Sequence, residues 1–412
     1  MTSGEKRLIE ALAASMRGRQ VDWKETIPQD EWQEFFRCAR EQKVLPLVIN
    51  SVYACPAYLE LPEQQRRQLK QVAAREVVSQ TMRTAALLRL YQAMKERGLS
   101  PVVMKGIACR DLYPAPDARP SSDEDILVPA AQFQDSVDVL LSLGYKPQSV
   151  NYDVERDFEI GFCTPDSYIE LHKSPFAPDS EALSVCNQYF EDAYLRGMEI
   201  ATEGISVAVM GPQDHMLYLI LHAFKHLIHS GFGLRQICDM VRWAEEYGGQ
   251  IDWIWVKERC QQVRCWGFAA ATFQIGQHWF AFDAARAGIP DGLLAGEWPG
   301  EELLDDLLKG GVYGGTDRNR MHSSTITLRA VEAQRSGKRA SLLATLFPKR
   351  SQMVSAYPFL QRWPILLPVA WGRRILRYGS EVRRSQDGNR PAESVRVGNE
   401  RLELLKQLDI ID

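Results

Sequence analysis

Val102-Val103-Met104-Lys105-Gly106, Arg119-Pro120-Ser121-Ser122-Asp123-Glu124-Asp125-Ile126-Leu127-Val128 and Tyr168-Ile169-Glu170-Leu171-His172 are the segments on which the fold of this 412-residue chain turns. The first is a short unbroken apolar run ending in Lys-Gly, the pattern of a buried strand that stops in a tight turn. The second feeds acidic residues into another apolar run, so Asp123–Val128 reads as a strand. The third faces Phe158–Cys163 across Thr164-Pro165-Asp166-Ser167, a hairpin signal. Ile107–Tyr113 and Ala130–Leu143 have helical spacing, closed by the proline-rich stretch 114–120 and by Gly144. Ile205–Met210 is a further strand. Strands and helices mixed in this way predict an α+β unit over residues 99–211.

Outward from that unit the texture is helical. Residues 1–98 carry apolar positions at helical spacing over Glu31–Tyr53, and a long helix is predicted from Pro62 to a stop at Gly98. After Gly211-Pro212, residues 212–350 read as a helical domain through Asp214–Ile228, Gln236–Tyr247, Trp253–Val263 and Gly267–Phe282. Gly310–Arg320 is predicted to be an exposed loop. Residues 351–412 read as a basic helical segment with a partly disordered tail past Ser385, since Arg362–Arg401 holds nine arginines, four acids and no lysine.

Composition narrows the class. Apolar residues make up 45% and charged residues 25%, and 28 glycines and 21 prolines are ordinary usage, which excludes fibrous and low-complexity chains. Lys+Arg 49 against Asp+Glu 53 gives a net charge of −4, so nothing global draws the chain to nucleic acid. The N-terminus lacks the apolar core of a secretory signal. Eight scattered cysteines without a CxxC read as reduced thiols, and a cytoplasmic setting is expected. The uncharged run Cys265–Phe282 is interrupted by polar residues and reads as a buried helix, not a membrane span.

The chemistry-bearing residues sit in the opening segments. Side chains alternate along a strand, so Asp123 and Asp125 project from one face, where two carboxylates attract a divalent ion. Oxygen donors of this hardness favour Mg²⁺ or Mn²⁺ over zinc. Glu170, on another strand of the unit, is a candidate third carboxylate. Gly106 follows a strand and opens a helix, where bare amides and a missing Cβ suit a phosphate. Lys105 adds a charge beside it, and Arg119 is placed to fork onto phosphate oxygens. Glu124, between the aspartates, would be a costly charge if buried without a partner.

This order of elements resembles the DNA polymerase β-like nucleotidyltransferase superfamily: an apolar strand, a glycine turn, an Asp-x-Asp strand and a later strand with one more acid. Met104-Lys105-Gly106, Leu112-Tyr113-Pro114, Arg119, Asp123-Glu124-Asp125-Ile126-Leu127-Val128 and Glu170-Leu171-His172 are similar, more closely, to a bacterial family of mostly uncharacterised nucleotidyltransferases with a Leu-Lys-Gly turn. The resemblance is dense over Val102–His172 and looser over Asp214–Trp243. It implies a small mixed sheet with flanking helices. It implies also that Asp123 and Asp125 bridge two metals, that Glu170 holds the catalytic one and accepts the acceptor's proton, and that Lys105 and the Gly106 and Ile107 amides hold an NTP triphosphate, with ATP the default. His172 either contacts substrate or packs at its strand end. Glu124 and the single turn glycine depart from the superfamily pattern.

Outside that unit, His222, His226 and His229 lie on one helix face with Lys225 between them. Two histidines four apart can grip zinc, but no fourth ligand is evident and the HExxH glutamate is missing. The leading expectation is a polar, cleft-lining face formed by His222, Lys225, His226, Arg235 and Asp239. Trp363–Trp371 with Arg373, Arg374 and Arg377 is either a contact for an anionic membrane or RNA, or a docking helix with solvated arginines. The function expected is metal-dependent transfer of NMP from an NTP to a hydroxyl, phosphate or amine acceptor. The alternatives are a phosphotransferase using the same acids and a degenerate nucleotide- or partner-binding protein.

Overall fold

Seven strands form one mixed sheet in the order β3-β4-β5-β2-β1-β7-β6. They are β1 Val102–Met104, β2 Glu124–Leu127, β3 Lys146–Pro147, β4 Glu159–Cys163, β5 Tyr168–His172, β6 Met198–Thr202 and β7 Ile205–Val209. The computed structural model describes residues 1–229, 231–312, 327–332, 334, 350–354, 357–374 and 391–412. The central strands β1 and β2 are buried at every position, as their continuous apolar runs require. β1 runs antiparallel to β2 and parallel to β7, and β2 runs parallel to β5. The β4–β5 hairpin closes at Cys163↔Tyr168 across the four-residue turn. The edge strands β3 and β6 go beyond the sequence expectation. β3 has two residues, and β6 is half exposed and tied to β7 by Glu203-Gly204, both at positive φ, as a two-residue hairpin of mirror-image type needs.

Helices precede the sheet: α1 Ser3–Met16, α2 Gln29–Glu41, α3 Leu45–Val52, α4 Pro56–Leu59 and α5 Glu63–Glu96. The periodic stretch Glu31–Tyr53 is thus two helices, parted at Gln42–Val44 where Lys43 takes φ 51°. The 34-residue α5 ends at Gly98, whose φ of 75° suits glycine. α5 docks on the sheet through Tyr91, whose hydroxyl accepts from the Ala208 amide at 2.8 Å. Within the sheet region come α6 Gly106–Arg110 and α7 Phe133–Ser142. After it come α8 Pro212–His229, α9 Leu234–Tyr247, α10 Trp253–Gln262, α11 Trp266–Trp279 and α12 Gly300–Gly310.

One contiguous core joins Leu8 of α1, Ile126 of β2, Phe224 of α8 and Leu408 near the C-terminus. Of the tail expected to be partly disordered, Pro391–Gln407 is helical, and Leu404, Leu405 and Leu408 are buried in that core. A separate small cluster, Met353, Leu360 and Ala370, leaves Trp363 and Ile365 exposed. The loop expected at Gly310–Arg320 lies outside the described residues beyond Val312. All eight cysteines are free thiols. Among the described residues no helix is long and apolar enough to cross a membrane.

Candidate active site

Register places the acids. Asp125 pairs with Glu170 across the parallel β2–β5 ladder, and Leu127 pairs with His172. Paired residues share a face and alternate residues repeat it, so Asp123, Asp125, Glu170 and His172 all project from one side of the sheet. His172 Nε2 lies 3.1 Å from Asp125 Oδ1 and 3.8 Å from Glu170 Oε2. Asp125, Glu170 and His172 each offer a ligand atom, all within 4.8 Å of one another. Two carboxylates and one imidazole nitrogen are a donor set suited to a divalent ion, with the nitrogen widening the choice beyond Mg²⁺ toward Mn²⁺.

The expected group of three acids is therefore drawn differently. Asp123 is not part of that compact group, and His172, expected to meet the nucleotide, is. Asp123 is bound instead by Lys105, whose ammonium lies 3.0 Å from Asp123 Oδ2 and 2.7 Å from Asp125 Oδ2. The same nitrogen is 3.2 Å from His222 Nε2. Lys105 reaches this position from a backbone at φ 38°, a region uncommon for a side-chain-bearing residue. Burial alone would raise the Asp123 pKa. The Lys105 charge and hydrogen bond, helped by Arg235, more than reverse this and hold the carboxyl below its usual range.

Glu124 resolves which acids of the Asp-Glu-Asp run can act together. Alternation turns it to the opposite face from Asp125, where it is 3% exposed and its Oε2 has no hydrogen-bond partner. Burial raises its pKa against the pull of Arg119. Its carboxyl lies under the Lys105-Gly106 turn so closely that a Cβ at 106 would collide with Oε2, and Gly106 itself has φ 21°. The glycine is required by this contact as well as by any approaching phosphate.

Arg119 is held by an acid. Its fork is closed by Asp239, with Nε 2.9 Å from Oδ1 and Nη2 2.6 Å from Oδ2, and Tyr113 donates its hydroxyl to Oδ1 at 2.8 Å. Arg119 and Asp239 are each 3% exposed. The pair joins α9 to the loop before β2. Asp239, expected on a cleft wall, makes this tie and also lines the cavity beside Lys105 and Gly106, as Arg119 does.

On α8, His222 and His226 turn toward Lys105, their Nε2 atoms 3.3 Å apart. Burial, then the Lys105 charge, drives the His222 pKa well below the usual imidazole range, and burial with the same lysine takes His226 to about 3. Both rings are neutral near pH 7. His229 is exposed at the end of α8. Among the described residues no group of three or more metal-binding side chains includes these histidines. The cavity by the turn is lined by Lys105, Gly106, Asp123, His222 and Arg235 among others.

Some neighbours are absent from the sequence-level expectation. Glu159, directly opposite His172 in the hairpin, has Oε2 3.6 Å from His172 Nδ1. Counting back from the 164–167 turn would have found it. Gln80 accepts from the Ser121 amide at 2.7 Å, Arg83 donates to the Ser121 carbonyl, and Lys43 donates to Ser122 Oγ at 2.9 Å. These come from α5 and from the break between α2 and α3, far away in sequence, and no local signal marks them.

A family model described as an uncharacterised nucleotidyltransferase matches residues 28–281, well over half of the chain and the whole of the sheet. No curated protein matches it.

Proposed function

As this chain belongs to that uncharacterised nucleotidyltransferase family, we propose that it moves a nucleoside monophosphate from an NTP, ATP first among them, to a hydroxyl, phosphate or amine acceptor with Mg²⁺ or Mn²⁺. The observation that carries this reading is the meeting of Asp125, Glu170 and His172 on one sheet face, with Asp123 beside them. The fit to a cation has an internal indicator. The Lys105 ammonium already sits between Asp123 and Asp125, as a positive charge their carboxylates are arranged to receive. Asp125, Glu170 and His172 would hold one ion, and Asp123 with Asp125 a second.

Such ions, when bound, neutralise phosphate charge and ease deprotonation of the attacking group. Lys105, freed from the aspartates by an ion, would turn its charge to phosphate at the adjoining Gly106 turn. The Gly106 and Ile107 amides open α6 beside it. Glu170, whose side chain is 22% exposed, would take the acceptor's proton, and Glu159 would hold the His172 ring in place.

Incubation with labelled NTPs and cell extract, followed by mass spectrometry, tests this reading. A product heavier by one nucleotide supports it, and Asp123→Asn or Asp125→Asn abolishes that product while the fold persists. A product heavier only by phosphate would make the protein a phosphotransferase. Binding of Mg²⁺ and NTP without any product would make it a binding protein.

A further inference from the structure

We propose that residues 363–371 are an interfacial anchor, which lays its outer face on a membrane bearing anionic lipids while its inner face stays packed on the protein. Trp363-Pro364-Ile365-Leu366-Leu367-Pro368-Val369-Ala370-Trp371 runs for nine residues without one charged or hydrogen-bonding side chain besides the two indoles. Pro364–Leu366 makes one 3₁₀ turn, and residues 367–374 are helical. One side of this segment has a partner. Leu360 and Ala370 are buried with Met353 in the small cluster apart from the main core, and Leu367 and Trp371 pack on it. The Arg350 guanidinium braces the unit by donating to the Leu360 carbonyl at 3.1 Å. The other side faces solvent. Trp363 is 55% exposed and Ile365 84%, and Leu366 and Val369 are exposed with them.

A segment apolar on every side is one that apolar matter covers on every side, and a contiguous exposed apolar patch marks a contact site. The charge around the patch selects what makes the contact. Between residues 333 and 380 the chain carries nine lysines and arginines and no acid, against a whole-chain charge of −4. Of these, Arg362 and Arg373 are exposed and stand at the two ends of the apolar run. Arg362 lies over the Trp363 ring at 6.0 Å and Arg373 over the Phe359 ring at 5.9 Å. Their stems thus follow apolar surface while the charge stays at the rim, the arrangement of cations that meet lipid headgroups above buried acyl chains. Tryptophan, which ends the run on both sides, is the side chain that settles at headgroup level. A span needs about 20 apolar residues, so a run this short lies on the bilayer and does not cross it.

Other occupants fit less well. RNA would find cations for its phosphates, but its bases need stacking rings and polar edges, and Ile365, Leu366 and Val369 supply neither. A second copy of the chain would bury only four side chains on one short segment, well under the ~800 Å² per partner of a stable dimer. The anchor also stands apart from the chemistry. None of its residues belongs to the Asp125–Glu170–His172 group or lines the cavity by Gly106. It decides where the protein works, and it holds whichever reaction the sheet face performs.

Co-sedimentation of the full chain with lipid vesicles tests the anchor, with phosphatidylcholine alone against an equal mixture of phosphatidylcholine and phosphatidylglycerol. The parent is expected to pellet with the anionic vesicles, to stay in solution with the neutral ones, and to be released as salt is raised. Arg362→Gln with Arg373→Gln should weaken anionic binding on the order of thirtyfold. Trp363→Ser with Ile365→Ser should weaken it roughly tenfold or more. Arg362→Lys with Arg373→Lys, which keeps the charge, should bind nearly as the parent does. All four side chains are exposed, so each pair should melt with the parent and its loss of binding is not a loss of fold. A parent that stays in solution with anionic vesicles overturns the anchor, and so does equal pelleting of the parent and either weakened pair. Two further results overturn it by reassigning the patch. One is retention of a single-stranded RNA oligonucleotide without vesicle binding. The other is a dimer in sedimentation velocity that Trp363→Ser with Ile365→Ser dissociates, again without vesicle binding.

Discussion

Replacing Lys105 by methionine removes the ammonium that lies against Asp123 and Asp125, at 3.0 and 2.7 Å, on a sheet face where Asp125 is 1% exposed. Breaking a buried ion pair by deleting one partner costs about 3–5 kcal/mol, because the remaining charge is stranded. Water reaches part of Asp123, so the lower end of that range applies. At ~2 °C per kcal/mol for a large cooperative unit, the metal-free variant should melt on the order of 6 °C below the parent. A divalent ion would then do the lysine's work. At a hundred times its Kd an ion stabilises the folded state by about 2.7 kcal/mol. In Lys105→Met the ion no longer has to displace an ammonium, so it binds more tightly than in the parent. Differential scanning fluorimetry across a Mn²⁺ series reads both effects. The variant should start lower, respond at lower Mn²⁺ and recover most of the gap. An unchanged metal-free melt, or a Mn²⁺ response no larger than the parent's, would refute the idea that Lys105 stands where a cation belongs.

Other outcomes follow from single contacts. Asp239→Leu strands the buried Arg119 guanidinium and should destabilise by about 3–5 kcal/mol in a denaturant melt, whereas the double variant Arg119→Met, Asp239→Leu should recover most of it. Gly106→Ala drives a methyl into Glu124 Oε2 and should cost roughly 1–3 kcal/mol, part of which Glu124→Ala restores; a neutral Gly106→Ala would mean that the turn and Glu124 are not in contact. His215 is fully buried, stacked on Trp243 with ring centroids 4.0 Å apart, and burial takes its pKa from 6.5 to about 3. It binds a proton only when unfolded across that window, so stability rises with pH between about 3 and 6.5. His215→Phe should flatten that slope, worth a few kcal/mol at most, and pH-dependent urea melts with parallel slopes would count against it.

The local sequence determined the elements that carry the site. Val102–Met104, Asp123–Leu127 and the hairpin ending at His172 are strands because each apolar run is bounded by a turn its own residues specify, and alternation then puts Asp123 with Asp125 and Glu170 with His172. The Lys105-Gly106 turn and the helix after it are legible for the same reason: glycine at a positive φ is a local requirement. What β2 has beside it was decided elsewhere. Asp125 meets Glu170 and His172 only because β2 and β5 pair in parallel, a register set by burial of Ile126, Ile169 and Leu171 and by no nearby residue. Whether Lys105 and Arg119 face phosphate or a carboxylate is likewise a tertiary matter. Lys105 lies against two aspartates, and Asp239 reaches Arg119 from α9. Lys43, Arg83 and Arg235 are ordinary helix-region cations until three packed elements bring them to one loop. Charge acts through space over a few ångströms, and along the chain these groups are tens to more than a hundred residues apart, so only the packed core could gather them.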